Sequence, residues 1–147
     1  PGVRKWAQEL VASQGCDRVL FGATAPLGIM SKGLRKAGAE RIVGITHGHE
    51  AAWSITPGGR SVMRRIGATT DTITFLGEYT RARIGNAIGP AAAARMRRLV
   101  PGVEADTFSP ANHGAGRALR EKYGFAVRRV IVCVSRLMPE AAAGRPL

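Results

Sequence analysis

Apolar residues recur at the three-and-four spacing of an amphipathic helix from Val3 to Val11, through Val3, Trp6, Ala7, Leu10 and Val11. Gly15 supplies a stop for that helix. Arg18 to Gly22 (RVLFG) is a short apolar run of the kind a buried parallel strand shows. After small residues and Pro26, a second helical pattern is built on Leu27, Met30, Leu34 and Ala37, and Gly38 ends it. Arg41 to Thr46 (RIVGIT) predicts the next strand, Pro57 to Ile66 a helix, Thr72 to Leu76 (TITFL) a third strand, and Glu78 to Ile88 a helix whose Ile84, Ala87 and Ile88 share a face.

Strand followed by helix, repeated with short connections, implies parallel strands joined by right-handed crossovers, hence an open α/β sheet with helices on its faces. Ligands in such sheets bind at the carboxyl ends of the strands. After Pro90 the pattern changes: Arg95 to Val100 reads as a short strand and Pro101-Gly102-Val103 as a turn. A helix from about Asn112 to Tyr123 follows, with Ala115, Leu119 and Tyr123 expected inward. Val130 to Val134 (VIVCV) is the most strand-like run in the chain, with nothing of its own to pair with, so the fold is expected to continue. The resulting partition is a Rossmann-like domain over 1–100, a linker and helix over 101–128, and the first strand of another domain over 129–147.

Length changes this picture little: 147 residues, 45% of them apolar, bury one core but not two. No run approaches the ~20 apolar residues that crossing a bilayer requires, and the first residues do not resemble a signal peptide, which predicts a soluble, cytoplasmic chain. Cys16 and Cys133 are too few for a disulfide framework or a metal knuckle. Charge changes it more: 22 Lys and Arg against 10 Asp and Glu leave a formal +12, which favours an anionic partner. The arginines are scattered in pairs, Arg64-Arg65, Arg97-Arg98 and Arg128-Arg129, and 5% aromatics leave little to stack bases on, so nucleic acid is disfavoured.

Four segments carry candidate chemistry. His47-Gly48-His49-Glu50 lies at a strand's carboxyl end, where imidazoles hydrogen-bond hydroxyls, transfer protons or bind a metal. His-x-His on an extended segment would point both rings to one side, but a zinc site needs a third ligand and only His113 remains as another histidine, so no metal is expected. Pro101-Gly102-Val103 is a hinge signal, followed by Glu104 and the aromatic Phe108. Ser135-Arg136 follows an apolar strand, where a guanidinium can fork onto a phosphate. Gly22 to Gly28 (GATAPLG) is a strand-to-helix turn whose backbone a ligand could approach. A histidine-based hydrolase and a basic nucleic-acid-binding domain are the rival readings; the first lacks a nucleophile elbow and further ligands.

Taken together and in order, these segments resemble the retaining family-4 glycosyltransferases of the GT-B fold, most nearly the actinobacterial phosphatidylinositol mannoside mannosyltransferases that use GDP-mannose. The resemblance rests on VLFGATAPLG, on THGHEAAWS from Thr46 to Ser54, RSVMRRIG from Arg60 to Gly67, EYTRAR from Glu78 to Arg83, VPGVEADTFSP from Val100 to Pro110, and VCVSRLMP from Val132 to Pro139. It implies an incomplete GT-B fold, a Rossmann-like parallel sheet flanked by helices plus the first strand of a second such domain. His47 would then contact the transferred sugar as the catalytic-site histidine. His49, Glu50 and Gly22 would line the substrate site, Ser135 and Arg136 would bind the nucleotide diphosphate, and Pro101, Gly102 and Val103 would form the hinge.

The same resemblance implies a nucleotide-sugar donor, GDP-mannose, as substrate, with no separate cofactor or metal. It implies an anionic lipid acceptor and peripheral contact with the inner face of the plasma membrane, where each Lys or Arg near an anionic leaflet contributes about 1 kcal/mol. The sequence departs from the family pattern at Ala141 and Ala142, where a lysine and a glycine are usual, and at Gly77, where a serine usually caps the next helix. With one wall of the donor site and one strand of the other, activity of this chain alone is not expected.

Overall fold

The computed structural model describes residues 2–110 and 113–133. Its contacts divide the chain into two units, Pro1–Gly102 and Val103–Leu147. The first unit opens with α1 (Gly2–Gln14) and β1 (Arg18–Phe21), followed by a 3-10 turn (Leu27–Met30), α2 (Ser31–Lys36) and β2 (Arg41–Gly44). Next come α3 (Glu50–Trp53), α4 (Pro57–Thr69) and β3 (Thr72–Phe75), then α5 (Glu78–Ile88), α6 (Pro90–Ala93) and β4 (Arg97–Arg98). The second unit contains α7 (His113–Lys122).

The four strands form one parallel sheet in the order β1-β2-β3-β4, with Arg18 opposite Arg41, Val43 opposite Thr72 and Thr74 opposite Arg97. Strand side chains alternate between faces, and the inward set packs under the helices in two clusters. Phe21 and Ile42 join Val11, Leu34 and Ala39 in one. Ile73 and Phe75 join Met63, Ile66, Ile84, Ala87, Ile88 and Met96 in the other. The α/β architecture expected from the apolar alternation is therefore present, as a partial Rossmann-like domain with helices flanking a parallel sheet.

Helix ends follow local chemistry. Thr56 caps α4, its hydroxyl accepting from Gly59 N–H at 3.1 Å, and Pro57 occupies the first turn, where its missing N–H costs nothing. Gly77 has no hydroxyl to cap α5; Thr80 makes the reverse contact, its hydroxyl accepting from Gly77 N–H at 3.1 Å and donating to the Gly77 carbonyl at 2.8 Å. Gly67 lets α4 and α5 approach closely, since a Cβ there would stand 2.7 Å from Ile88 Cβ.

Several expectations need correction. The apolar positions of α1 divide: Ala7 and Val11 pack onto the core, whereas Val3, Trp6 and Leu10 are exposed. The strand expected over 95–100 contracts to Arg97–Arg98, because the backbone N–H groups of Arg95 and Met96 bond back to the carbonyls of Ala92 and Ala93 in the turn after α6; the Arg95 guanidinium reaches the carbonyls of Gly67, Thr70, Asp71 and Ala91. Leu119 and Tyr123 of α7 are exposed rather than inward, since the second unit offers no sheet among its described residues to cover them. The strand expected over 130–134 is not formed at Val130 to Cys133, which are without helix or strand, and Ile131 is exposed. Val134, and with it the end of that run, lies outside the described residues.

One ion pair ties the sheet to its helices. Arg35 of α2 donates to Asp71 Oδ2 at 2.7 Å, and the Ile42 N–H donates to the same oxygen at 2.7 Å. Burial raises the Asp71 pKa, but the Ile42 N–H and the Arg35 guanidinium outweigh it, and the carboxyl ends below its ordinary 3.8. A carboxyl with a depressed folded pKa adds stability above its unfolded value and loses it as pH falls through the folded one. Asp71→Asn should therefore flatten the fall in unfolding free energy below about pH 4, measured by urea denaturation across pH; an unchanged acid slope would contradict this role.

Candidate functional site

The strand carboxyl ends carry the segment 45–50 and the loop 22–25, and backbone hydrogen bonds bind the two together. Ile45 N–H donates to the Phe21 carbonyl at 2.9 Å, continuing the β1–β2 ladder past its regular end. Thr24, fully buried, donates both its N–H and its hydroxyl to the Ile45 carbonyl, at 2.8 and 2.9 Å. On the other side Thr46 N–H donates to Thr74 Oγ1 at 3.0 Å and the Thr46 hydroxyl to the Thr74 carbonyl at 2.8 Å. Buried polar groups that are fully paired in this way specify one arrangement of the backbone.

Both histidines sit on that frame. His47 Nε2 lies 2.6 Å from the Gly22 carbonyl and His49 Nε2 3.4 Å from the Ala25 carbonyl. The rings are nearly parallel, 5° apart in plane, with centroids 6.4 Å apart. Sequence spacing alone expected both rings on one side of an extended segment. They do lie side by side, but by a turn: Gly48 between them has φ +94°, a conformation a side chain disfavours.

Carbonyl oxygens only accept, so the Nε2 of His47 donates to Gly22, and that ring's Nδ1 is left as a lone-pair acceptor when the imidazole is neutral. Such a nitrogen accepts from a hydroxyl, and the protonated ring would donate instead. His47 is exposed and His49 half-exposed, so both remain reachable by a ligand.

Glu50 differs from its sequence expectation as a group lining a substrate site. It is completely buried at the start of α3, its Oε2 accepting from His47 N–H at 3.0 Å. It therefore holds the backbone of His47 and is closed off from solvent. Gly22 is exposed, but its carbonyl is occupied by His47. Among the described residues no cluster of three or more His, Cys, Asp or Glu could hold a metal ion. Pro101, Gly102 and Val103 are exposed, without helix or strand, where the two units divide. Ser135 and Arg136 lie outside the described residues, as do Pro139, Ala141 and Ala142.

Two residues that the sequence did not single out build this site. Thr24 and Thr74 fix the loop and the segment, and the missed signal was a small polar residue just past, or facing, the end of an apolar strand. Gly44 matters with them, since a Cβ there would stand 2.5 Å from Thr24 Oγ1.

The described geometry is a partial Rossmann-like parallel sheet with a histidine pair at its strand carboxyl ends. The chain is homologous to a segment of the GDP-mannose-dependent phosphatidylinositol mannoside mannosyltransferases. It is 45% identical over 139 residues to the GDP-mannose-dependent alpha-(1-6)-phosphatidylinositol monomannoside mannosyltransferase of Mycolicibacterium smegmatis, which is 95% of this chain and 36% of that protein. The Mycobacterium tuberculosis protein of that name is equally identical over the same length, 35% of its own. A Corynebacterium glutamicum enzyme named for the monoacylated acceptor is 39% identical over 132 residues, 89% of this chain and 34% of that one. The chain thus spans about a third of the length of the curated relatives it matches. No family model matches it.

Gly44→Ala should displace Thr24, at a cost of about 1–3 kcal/mol from overpacking, and loosen the loop that holds both rings. Urea denaturation checks the first, and faster amide exchange at residues 22–25 checks the second; unchanged exchange would show that the loop is held by other contacts.

Proposed function

We propose that this chain supplies the acceptor-side lobe and hinge of a retaining mannosyltransferase that moves mannose from GDP-mannose to a phosphatidylinositol mannoside. The observation that carries this reading is the mannosyltransferase likeness along 95% of the chain, which includes the histidine segment on its hydrogen-bonded frame. His47 contacts the transferred sugar: its Nδ1 accepts a sugar hydroxyl while Nε2 stays committed to Gly22. Arg136 binds the diphosphate and offsets charge developing on the departing GDP. Ser135 and His49 contribute further polar contacts to the substrates, and the segment Pro101 to Val103 is the hinge.

The test is a chimera in which this chain replaces the matching segment of the Mycolicibacterium smegmatis relative. Mannose transfer from GDP-mannose is expected, with His47→Ala and Arg136→Ala each lowering kcat/KM by about 100-fold or more. Transfer that survives both substitutions would overturn the site assignment.

The acceptor is a lipid, so the reading includes docking at the inner face of the plasma membrane. No helix among the described residues is long and apolar enough to cross a bilayer. Support for surface contact comes from α1, which exposes Val3, Trp6 and Leu10 beside Arg4 and Lys5. An apolar stripe flanked by cations lies in a headgroup region, held by its buried apolar area and by anionic lipid. The chain should cosediment with vesicles containing phosphatidylinositol, less so as salt rises, and Trp6→Ala should weaken the association several-fold. Equal binding to neutral phosphatidylcholine vesicles would contradict the electrostatic part.

A further inference from the structure

Glu50 is a fully buried carboxylate, and its two oxygens have different surroundings. Oε2 accepts the backbone N–H of His47 at 3.0 Å. Oε1 is buried without a hydrogen-bond partner, and His49 Nε2 stands 3.6 Å from it. A buried oxygen of this kind is costly unless a donor serves it. The His49 nitrogen faces two acceptors, this oxygen and the Ala25 carbonyl at 3.4 Å, so its Nε2 carries the proton.

We propose that Glu50 is a positioning residue for the histidine pair. One carboxylate oxygen holds the backbone at His47 and the other orients the His49 ring, so that both imidazoles are protonated on Nε2 and keep Nδ1 as an acceptor. The pair then offers two parallel rings, 6.4 Å apart, each selecting a hydroxyl donor from a polyhydroxylated ligand. The functional weight of this assignment rests on the sugar-contact reading above; the ring geometry itself does not.

The chemistry requires a carboxylate. Both groups facing it are N–H donors, so both of its oxygens must accept. A glutamine has one oxygen and one NH₂ and must turn the NH₂ against either His47 N–H or His49 Nε2–H. Glu50→Gln is therefore nearly isosteric and still unable to serve both histidines.

The experiment is long-range ¹H–¹⁵N correlation NMR of the imidazole nitrogens in this chain at a pH where the rings are neutral. In the wild type, His47 and His49 should both show a protonated Nε2 and a bare Nδ1. Glu50→Gln should convert His49 to a mixture of tautomers. A buried carboxylate with a merely structural role would lower the melting temperature on substitution and leave the His49 tautomer alone, and that result overturns the proposal. Should Glu50→Gln fail to fold, the wild-type spectrum decides by itself, because a bare Nε2 on either ring is incompatible with the assignment. No transfer is measured, so failure here is distinguishable from failure of the mannosyltransferase reading.

Discussion

The carbonyl of Ile45 is the point from which the rest of the site is organised. It lies just past the regular end of β2, where a parallel ladder would ordinarily give way to solvent, and Thr24 closes on it with two donors. Because Thr24 is fully buried, the pairing is shielded from competing water, and a paired polar group in such surroundings is far more favourable than an open one. The carbonyls of Gly22 and Ala25 are thereby fixed in space, and the imidazoles take their positions from those carbonyls. The histidine segment is built from the neighbouring loop inward; its own backbone contributes mainly the turn at Gly48.

Much of the fold was legible in the sequence because buried parallel strands are short apolar runs and amphipathic helices repeat every three or four residues. RVLF, RIVG and TITF stand as strands, and the helices over 57–69 and 78–88 place Ile66, Ile84, Ala87 and Ile88 in the core. What escaped was set by contacts that period alone does not encode. α6 is four residues of Pro and Ala, too short to show a periodicity. The apolar positions of α7 obeyed the helical period but are exposed, because periodicity identifies a face and cannot supply something to cover it. At the site, the sequence indicated where the histidines would be and that their rings would share a side. It did not indicate that Gly48 would bend the chain or that Glu50 would be sealed beneath them.

The arginines show why composition informs about partners only in part. Arg95 spends its guanidinium on four main-chain carbonyls, and Arg35 divides its donors among Asp71 and the carbonyls of Glu40 and Thr69. Five N–H groups in a rigid fork suit this stapling of helix ends to loops, work that a lysine could not share as well. A formal +12 therefore mixes structural cations with those free to meet an anion, and only the folded arrangement sorts one kind from the other.

The strand order carries a consequence for how the molecule is made. Among the described residues, each strand after β1 pairs with the one before it in the chain, joined to it by a helical connection. As the polypeptide leaves the ribosome, the sheet can widen one strand at a time, with each new helix covering the hydrophobic surface that the previous step exposed. Assembly in this order keeps sequence separation between partners small, which speeds folding, and shortens the interval in which a bare apolar strand is available to the wrong neighbour.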